Sequence, residues 1–156
     1  MPAAVTPLVR IQQEDFDIRS EVSRLAGGRG DVGAVVTFTG YCRDEAGRLS
    51  ALELEHYPGM AEAEISRIAA QALARWPLTG LTAIHRFGRI EPGGQIVLVV
   101  AASAHRQAAF DAASFLMDYL KTRAPFWKKE HLADGSSGHW VDAKEADDDA
   151  AKRWDG

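Results

Sequence analysis

The alternation of hydrophobic and polar positions along this chain predicts a series of strands and helices. Apolar residues recur at helical spacing over residues 16–25 and 60–76, and again after Ser103. Runs that are rich in β-branched and aromatic residues, or that alternate between apolar and polar side chains, are typical of strands. Such runs are Leu8–Ile11, Gly33–Gly40 continuing to Arg43, Ala51–Tyr57, Leu81–Phe87, Gln95–Ala102, Trp127–Leu132 and His139–Val141.

These elements together predict a single-domain α+β fold, in which a mixed or antiparallel sheet packs against helices in the manner of an α/β-hammerhead. Residues 1–10 are expected to be a loosely ordered lead-in that ends in the short strand from Leu8, and residues 143–154 a charged terminal helix. The strand that ends near Arg43 and the strand Ala51–Tyr57 flank a turn-like segment, so we expect them to pair as a β-hairpin. The run Ile96–Val100 is apolar throughout, which is typical of a central strand.

Two helices carry more specific expectations. Asp15 precedes the first helix and is expected to cap it. In the helix after Ser103, apolar residues at helical spacing form a stripe that is expected to face the core. This stripe consists of Phe110, Ala113, Met117 and Leu120.

The composition and the net charge argue against some classes of function. The chain has 156 residues, of which 46% are hydrophobic and 26% charged, as in an ordinary globular domain. Its formal net charge of -4 argues against a general nucleic-acid binder. No apolar run reaches the roughly 18 residues of a membrane span, and the start lacks a signal-peptide core. We therefore expect a soluble, cytoplasmic protein that binds neither nucleic acid nor a membrane.

The sequence predicts no metal site and no bound cofactor. Cys42 is the single cysteine, which excludes an intrachain disulfide and a multi-cysteine metal site. We expect it to be a buried, inert thiol. Four histidines show no metal-ligand spacing and are expected to be structural or exposed. They are His56, His85, His131 and His139.

This acidic chain contains one cationic stretch, Ser103–Lys129. His105 and Arg106 open it at the start of a predicted helix, where free backbone N–H groups attract anions; a solvated helix start is the alternative. Lys121 lies 15 residues beyond Arg106, which is about 22 Å along a helix. One small ligand cannot touch both ends. Either two sites exist, or a two-fold dimer places one helix start beside the other helix end, and we favour the dimer.

Lys121 and Lys128 flank the end of the same helix. A proline between them forces the chain out of the helix, and a tight turn could bring both ammonium groups to one pocket that Phe126 and Trp127 shield from water. A desolvated lysine beside other cations has a lowered pKa and can act as a base or a nucleophile. The alternative is that these lysines only complement the helix dipole. Arg43 could project into the same pocket.

Five separated blocks of the sequence resemble one protein family. They are Gly33–Gly40 with Arg43, Leu54–Met60, Ile84–Arg86 with Gly88, Ser103–Arg106, and Met117–Lys128. In this order they are similar to the large, catalytic subunit of molybdopterin synthase. The resemblance covers nearly all of residues 30–154 and is looser before them.

This resemblance implies an activity and partners. Such subunits form a homodimer flanked by two small ubiquitin-like sulfur carriers, so that the whole assembly is a heterotetramer. Each carrier inserts a thiocarboxylated C-terminal Gly-Gly tail into the large subunit. Sulfur passes from the tail to cyclic pyranopterin monophosphate, twice, and forms the molybdopterin dithiolene in molybdenum cofactor biosynthesis. The implied enzyme is a sulfurtransferase.

The resemblance also assigns roles to residues. Lys121 matches the essential catalytic lysine and Lys128 the second lysine. His105 and Arg106 match the pair that holds the substrate's phosphate from the neighbouring subunit. Arg43 matches an arginine of the pocket, and Phe38 and Met117 match residues that line it. Without the resemblance, the residues leave open a non-catalytic module whose cationic pocket docks the acidic or Gly-Gly tail of a partner.

Overall fold

The computed structural model describes residues 4–44, 46–122, 126–141 and 154 of the chain. In this part the helices are α1 Ile18–Ala26, α2 Met60–Arg75 and α3 Arg106–Thr122. The strands are β1 Leu8–Gln12, β2 Ala34–Tyr41, β3 Leu49–His56, β4 Leu78–Arg86, β5 Gly88–Ile90, β6 Gln95–Ser103, β7 Phe126–Leu132 and β8 Ser137–Val141. The predicted terminal helix lies outside the described residues, apart from Trp154.

The described strands form two sheets, which confirms the predicted α+β class. In the first sheet the order is β1-β4-β6-β2, and only β1 and β4 are parallel. In the second sheet the order is β5-β3-β7-β8, and all neighbours are antiparallel. β6 lies between two strands, and its residues from Val97 to Ala102 are all buried, as predicted for a central strand.

The predicted hairpin between β2 and β3 is wrong, because the two strands belong to different sheets. β2 pairs with β6 along its whole length. Directly after β2, the backbone N–H of Cys42 donates to the Gly94 carbonyl, and the Cys42 carbonyl accepts from the Gly93 N–H. These bonds tie the chain to the turn after β5. They lead it into the second sheet, where β3 pairs with β5 and β7.

Helices cover both faces of the first sheet. α2 and α3 pack on one face in the main core, which includes Ile68, Phe115 and Val99. α1 packs on the other face, where Leu25 and Leu98 belong to a second buried cluster. Among the described helices, none combines the length and the apolar character that crossing a bilayer requires.

The predicted cap of α1 is wrong by two residues. The side chain of Asp17, not Asp15, accepts a hydrogen bond from the Ser20 N–H and caps the helix. Asp15 instead accepts hydrogen bonds from the Phe16 N–H and the Gln95 side chain. The helix therefore begins at Ile18, after a segment that Asp15 fastens to β6.

The predicted core stripe of α3 holds for three of its four residues. Ala113, Met117 and Leu120 are buried, but Phe110 is 56% exposed. Phe110 lies about 100° around the helix from Ala109, which is at the centre of the buried side. It therefore lies at the margin of the buried side, where the sheet does not cover it.

Candidate active site

The two sheets meet where β4 ends. Phe87 follows β4, and Gly88 starts β5 in the second sheet with a φ of 87°. Only glycine adopts such a φ readily, so the chain can turn from one sheet to the other here. Next to this turn, His85 of β4 and Gly40 of β2 are both cross-strand partners of Val97. Because Val97 belongs to the main core, this row lies on the face that α3 covers.

A group of rings fills this joint, and we call His56, His85, Phe87 and Phe126 the ring cluster. His85 stacks on Phe126 with 3.8 Å between ring centroids and 15° between planes. The ring of His56 lies 4.5 Å from Phe87 and 6.0 Å from Phe126. His56 ends β3 directly opposite Phe126, which begins β7. The ring cluster therefore joins β4 of the first sheet to two strands of the second.

Burial in the ring cluster lowers the pKa of His85 from 6.5 to about 4. The hydrogen bond that its Nδ1 donates to the Arg86 carbonyl, at 2.8 Å, acts in the opposite direction. The charges of Lys121 and His56 lower the pKa further. At neutral pH His85 is therefore an uncharged ring, with its proton on Nδ1 and a lone pair on Nε2.

We expect His85 to make the protein less stable in mild acid. As the pH falls from 6.5 towards 4, His85 becomes protonated in the unfolded chain but stays neutral in the folded chain. The free energy of unfolding should fall by about 3 kcal/mol across this window and level off below it. Denaturant titrations of the wild type at several pH values should show this loss, and His85→Phe should lack it. Parallel curves for the two proteins would contradict the expectation.

Lys121 and Lys128 approach the joint from two elements. Lys121 lies in the last turn of α3, and its charge acts on the ring of His85. Lys128 lies two residues after Phe126 on β7, so both side chains point to the same face of the strand. It is half-buried opposite Leu54 of β3. Lys121 thus acts on a ring of the cluster, and Lys128 lies on the same face of β7 as Phe126, while the connecting residues 123–125 lie outside the described part of the chain.

One predicted feature of this pocket is wrong. The sequence predicts that Trp127 shields the lysines together with Phe126. It alternates with Phe126 along β7, so its side chain points to the opposite face of the sheet. It is 37% exposed there. Phe126 lies on the same face of β7 as Lys128, and His85 lies within reach of the charge of Lys121, which is itself exposed.

Arg43 lies just past the end of β2. It lines an open depression with its neighbours Cys42 and Asp44 and with Gly93 of the turn after β5. Cys42 is 3% exposed, as predicted, and packs in a buried cluster with Leu54. Because Leu54 is the partner of Lys128 across β3 and β7, the end of β2 approaches the strand pair that carries Lys128.

Phe38 and Met117 lie on the same side of the first sheet. Phe38 is 40% exposed, and its cross-strand partner Val99 belongs to the main core under α3. A Cβ at Gly40 would come within 3.5 Å of the Phe38 ring, so the ring lies over this glycine. Met117 is buried in the main core one helical turn before Lys121.

His105 and Arg106 lie at the opposite end of α3 from Lys121. Both are exposed, and α3 begins at Arg106. Along the helix, the 15 residues to Lys121 correspond to about 22 Å. Within one chain, therefore, the structure does not bring the His-Arg pair to the two lysines.

Three cations of the candidate site form no ion pair with a carboxylate among the described residues. No described carboxylate pairs with Arg43, Arg106 or Lys128. Elsewhere arginines are neutralised, as at Glu21, which pairs with two of them. Unpaired positive charges favour an anionic ligand. In the same part of the chain, no three His, Cys, Asp or Glu side chains are placed to hold a metal ion.

The sequence predicts only that His56 and His85 are structural or exposed. The structure confirms that they pack against other rings, but it also brings His85 within reach of the charge of Lys121. Two features of the sequence indicate that these histidines belong to the site. His56 shares the inward phase of Leu52 and Leu54, and His85 lies in one of the blocks that carry the family resemblance.

Comparisons with known protein sequences bear on this site. The MoaE protein family model matches residues 11–123, well over half of the chain. The molybdopterin synthase catalytic subunit of Mesorhizobium japonicum is 72% identical over 154 residues. That match covers 99% of this chain and 97% of the relative.

Solved structures share the fold. The molybdopterin biosynthesis MoaE protein from Burkholderia ambifaria matches with a TM-score of 0.82 and 46% identity, over 96% of this chain and 99% of the other. Molybdopterin synthase from Staphylococcus aureus matches with a TM-score of 0.76 and 30% identity, over 84% and 94% of the two chains. The two-sheet fold, the family model and these relatives together place this chain in the MoaE protein family.

Proposed function

We propose that this chain is the catalytic subunit of a molybdopterin synthase, a sulfurtransferase of molybdenum cofactor biosynthesis. It accepts sulfur from the thiocarboxylated Gly-Gly tail of a small ubiquitin-like carrier. It transfers that sulfur to cyclic pyranopterin monophosphate, which gains the dithiolene of molybdopterin. The observation that carries the proposal is that, in a chain of the MoaE family, Lys121 acts on His85 while Lys128 lies on the β7 face of Phe126, the ring on which His85 stacks.

Two cations beside a partly desolvated joint suit this reaction. Attack on the thiocarboxylate and opening of the cyclic phosphate both build negative charge, and fixed cations in a water-poor site stabilise such charge. Lys121 is the principal residue in this proposal, either as a general acid and base or as a nucleophile that holds the acyl carbon of the tail until water releases it. Lys128 assists it.

A homodimer supplies the phosphate-binding end of the site. Arg106, Phe110, Met117 and Lys121 lie within about 60° of one another around α3, so they form one stripe along the helix. Phe110 in this stripe is 56% exposed, as expected for an apolar residue that a partner covers. A two-fold axis across the stripe places one helix start beside the other helix end. His105 and Arg106 of one protomer then hold the substrate's phosphate beside Lys121 of its partner.

The remaining pocket residues suit an anion-binding channel. Arg43 has no acidic partner among the described residues, and it adds a cation near Lys128. Phe38 and Met117 add apolar walls on the side that α3 covers. A Gly-Gly tail carries no side chains, so it can enter such a channel fully extended. A cytoplasmic location stays a prediction of the sequence.

The experiment that tests this function is reconstitution. The purified chain, thiocarboxylated carrier and cyclic pyranopterin monophosphate should together yield the dithiolene product, whereas omission of any one should yield none. The alternative, a non-catalytic module that docks the tail, predicts carrier binding without product. Binding without turnover by the homodimer would therefore refute the proposed function.

Cys42 should have no part in the chemistry, because sulfur arrives on the carrier. Cys42→Ala removes the thiol from a buried cluster and should cost only about 1 kcal/mol of stability. We expect wild-type rates of sulfur transfer, measured with the thiocarboxylated carrier at a temperature where the variant is folded. A loss of more than about tenfold, or 1.4 kcal/mol, would instead indicate a thiol relay within this subunit.

A further inference from the structure

The ring of His85 is fixed at the end of β4. Its Nδ1 donates to the Arg86 carbonyl at 2.8 Å. Arg86 is itself anchored, because its guanidinium donates to the carbonyls of Gln13 at 2.9 Å and Gln95 at 2.8 Å. The flat face of His85 then meets Phe126 at 3.8 Å. The imidazole ring of His85 is thus held in place where it packs against Phe126, the first residue of β7.

Phe126 connects the two elements that carry the candidate lysines. It packs against the main core, which contains Met117 and Leu120 from the last turns of α3. It also begins β7, two residues before Lys128. Phe126 therefore ties the start of β7 to the same core on which the end of α3 packs.

We propose that His85 is a positioning residue of this site, which stacks on Phe126 to hold the start of β7 against the main core and so sets the separation of Lys121 and Lys128. This inference rests on the proposed function, since it assumes that both lysines act on one substrate. An uncharged ring suits the role because a cation at this place would repel Lys121. A misplacement of about 1 Å between reacting groups can cost a hundredfold in rate.

Four single variants test the proposal in the reconstituted sulfur-transfer reaction, with thiocarboxylated carrier and cyclic pyranopterin monophosphate. His85→Ala removes one stacking ring and Phe126→Ala the other. His85→Phe keeps a flat ring and removes both nitrogens. The matched control is His131→Ala, because His131 is a histidine on the other face of β7, where it pairs with Glu53 at 2.9 Å.

We expect His85→Ala and Phe126→Ala each to lower kcat by about 10–100-fold, with the KM for the carrier changed less than about threefold. His85→Phe should recover at least half of the wild-type kcat. Because the two rings act through one contact, the double variant should be no slower than the slower single variant. His131→Ala should match the wild type. If His85→Ala does not fold, His85→Leu offers the same comparison, since it fills the volume without a flat ring.

Three results would overturn the proposal. His85→Phe as slow as His85→Ala would mean that an imidazole nitrogen takes part in the chemistry. A folded His85→Ala or His85→Leu with wild-type kcat would mean that the stack does not position the lysines. Losses that multiply in the double variant would mean that the two rings act independently. The wild type separates this inference from the proposed function: if it forms no product, the function fails, whereas a wild type that forms product while His85→Ala keeps its kcat overturns only the positioning role.

Discussion

Lys121→Ala should slow dithiolene formation by at least about a hundredfold while the protein stays folded and dimeric. General acid–base or nucleophilic catalysis by a placed side chain contributes about 10²–10⁴ in rate. Lys121 is exposed in the last turn of α3, so its truncation leaves no buried cavity. The lost interaction with the helix dipole costs at most about 1 kcal/mol. Single-turnover assays with saturating carrier measure the rate, and circular dichroism and sedimentation check the fold and the dimer.

Lys129→Ala is the matched control for this result. Lys129 is a neighbouring lysine on β7, but it points to the outer face of the sheet, where its Nζ lies 5.6 Å from the ring of Trp140. We expect Lys129→Ala to react at the wild-type rate and Lys128→Ala, on the inner face, to be slowed. Normal turnover by Lys121→Ala would refute its catalytic role, and equal losses at Lys128 and Lys129 would refute the assignment of the inner face.

Arg106→Ala should raise the KM for cyclic pyranopterin monophosphate by about 10–100-fold and change kcat less. A hydrogen bond from a charged donor to a phosphate contributes about 1.5–3 kcal/mol, and the start of α3 adds the positive end of its dipole. Arg106 is exposed, so its loss should not unfold the chain. Initial rates at varied pterin concentration, with carrier saturating, measure the effect.

The control for Arg106→Ala is Arg19→Ala. Arg19 is also exposed and lies on α1, which packs on the opposite face of the first sheet from α3. Its substitution removes the same charge far from the candidate site. If both variants raise the KM equally, the effect is one of net charge. If neither does, the phosphate is bound elsewhere.

The elements of this fold were predictable where a strong local pattern exists. The helical spacing that predicts residues 60–76 matches α2 Met60–Arg75, and the apolar run in β6 marks the central strand. The pairing of strands was not predictable in the same way. β2 and β3 are neighbours in sequence, yet the hydrogen bonds of Cys42 with the turn after β5 send them to different sheets. β5 has only three residues, too few to form a pattern.

Only part of the candidate site was predictable from the sequence, for the same reason. The lysines and the His-Arg pair stand out in the sequence because charge clusters in one stretch of an acidic chain. The ring cluster does not, because its members lie on or next to three strands that meet only in the folded chain. Phe110 shows a further limit. Its spacing predicts a core residue, but its place at the margin of the buried side of α3 leaves it exposed in this chain.

The central claim is that each site takes Lys121 from one protomer and Arg106 from the other, and mixed dimers test it most directly. Lys121→Ala and Arg106→Ala protomers, co-expressed with different affinity tags and purified through both, form dimers in which one of the two sites is intact. The account predicts about half of the wild-type rate at a pterin concentration where each parent dimer is nearly inactive. A mixed dimer no more active than the mean of its parents would contradict it.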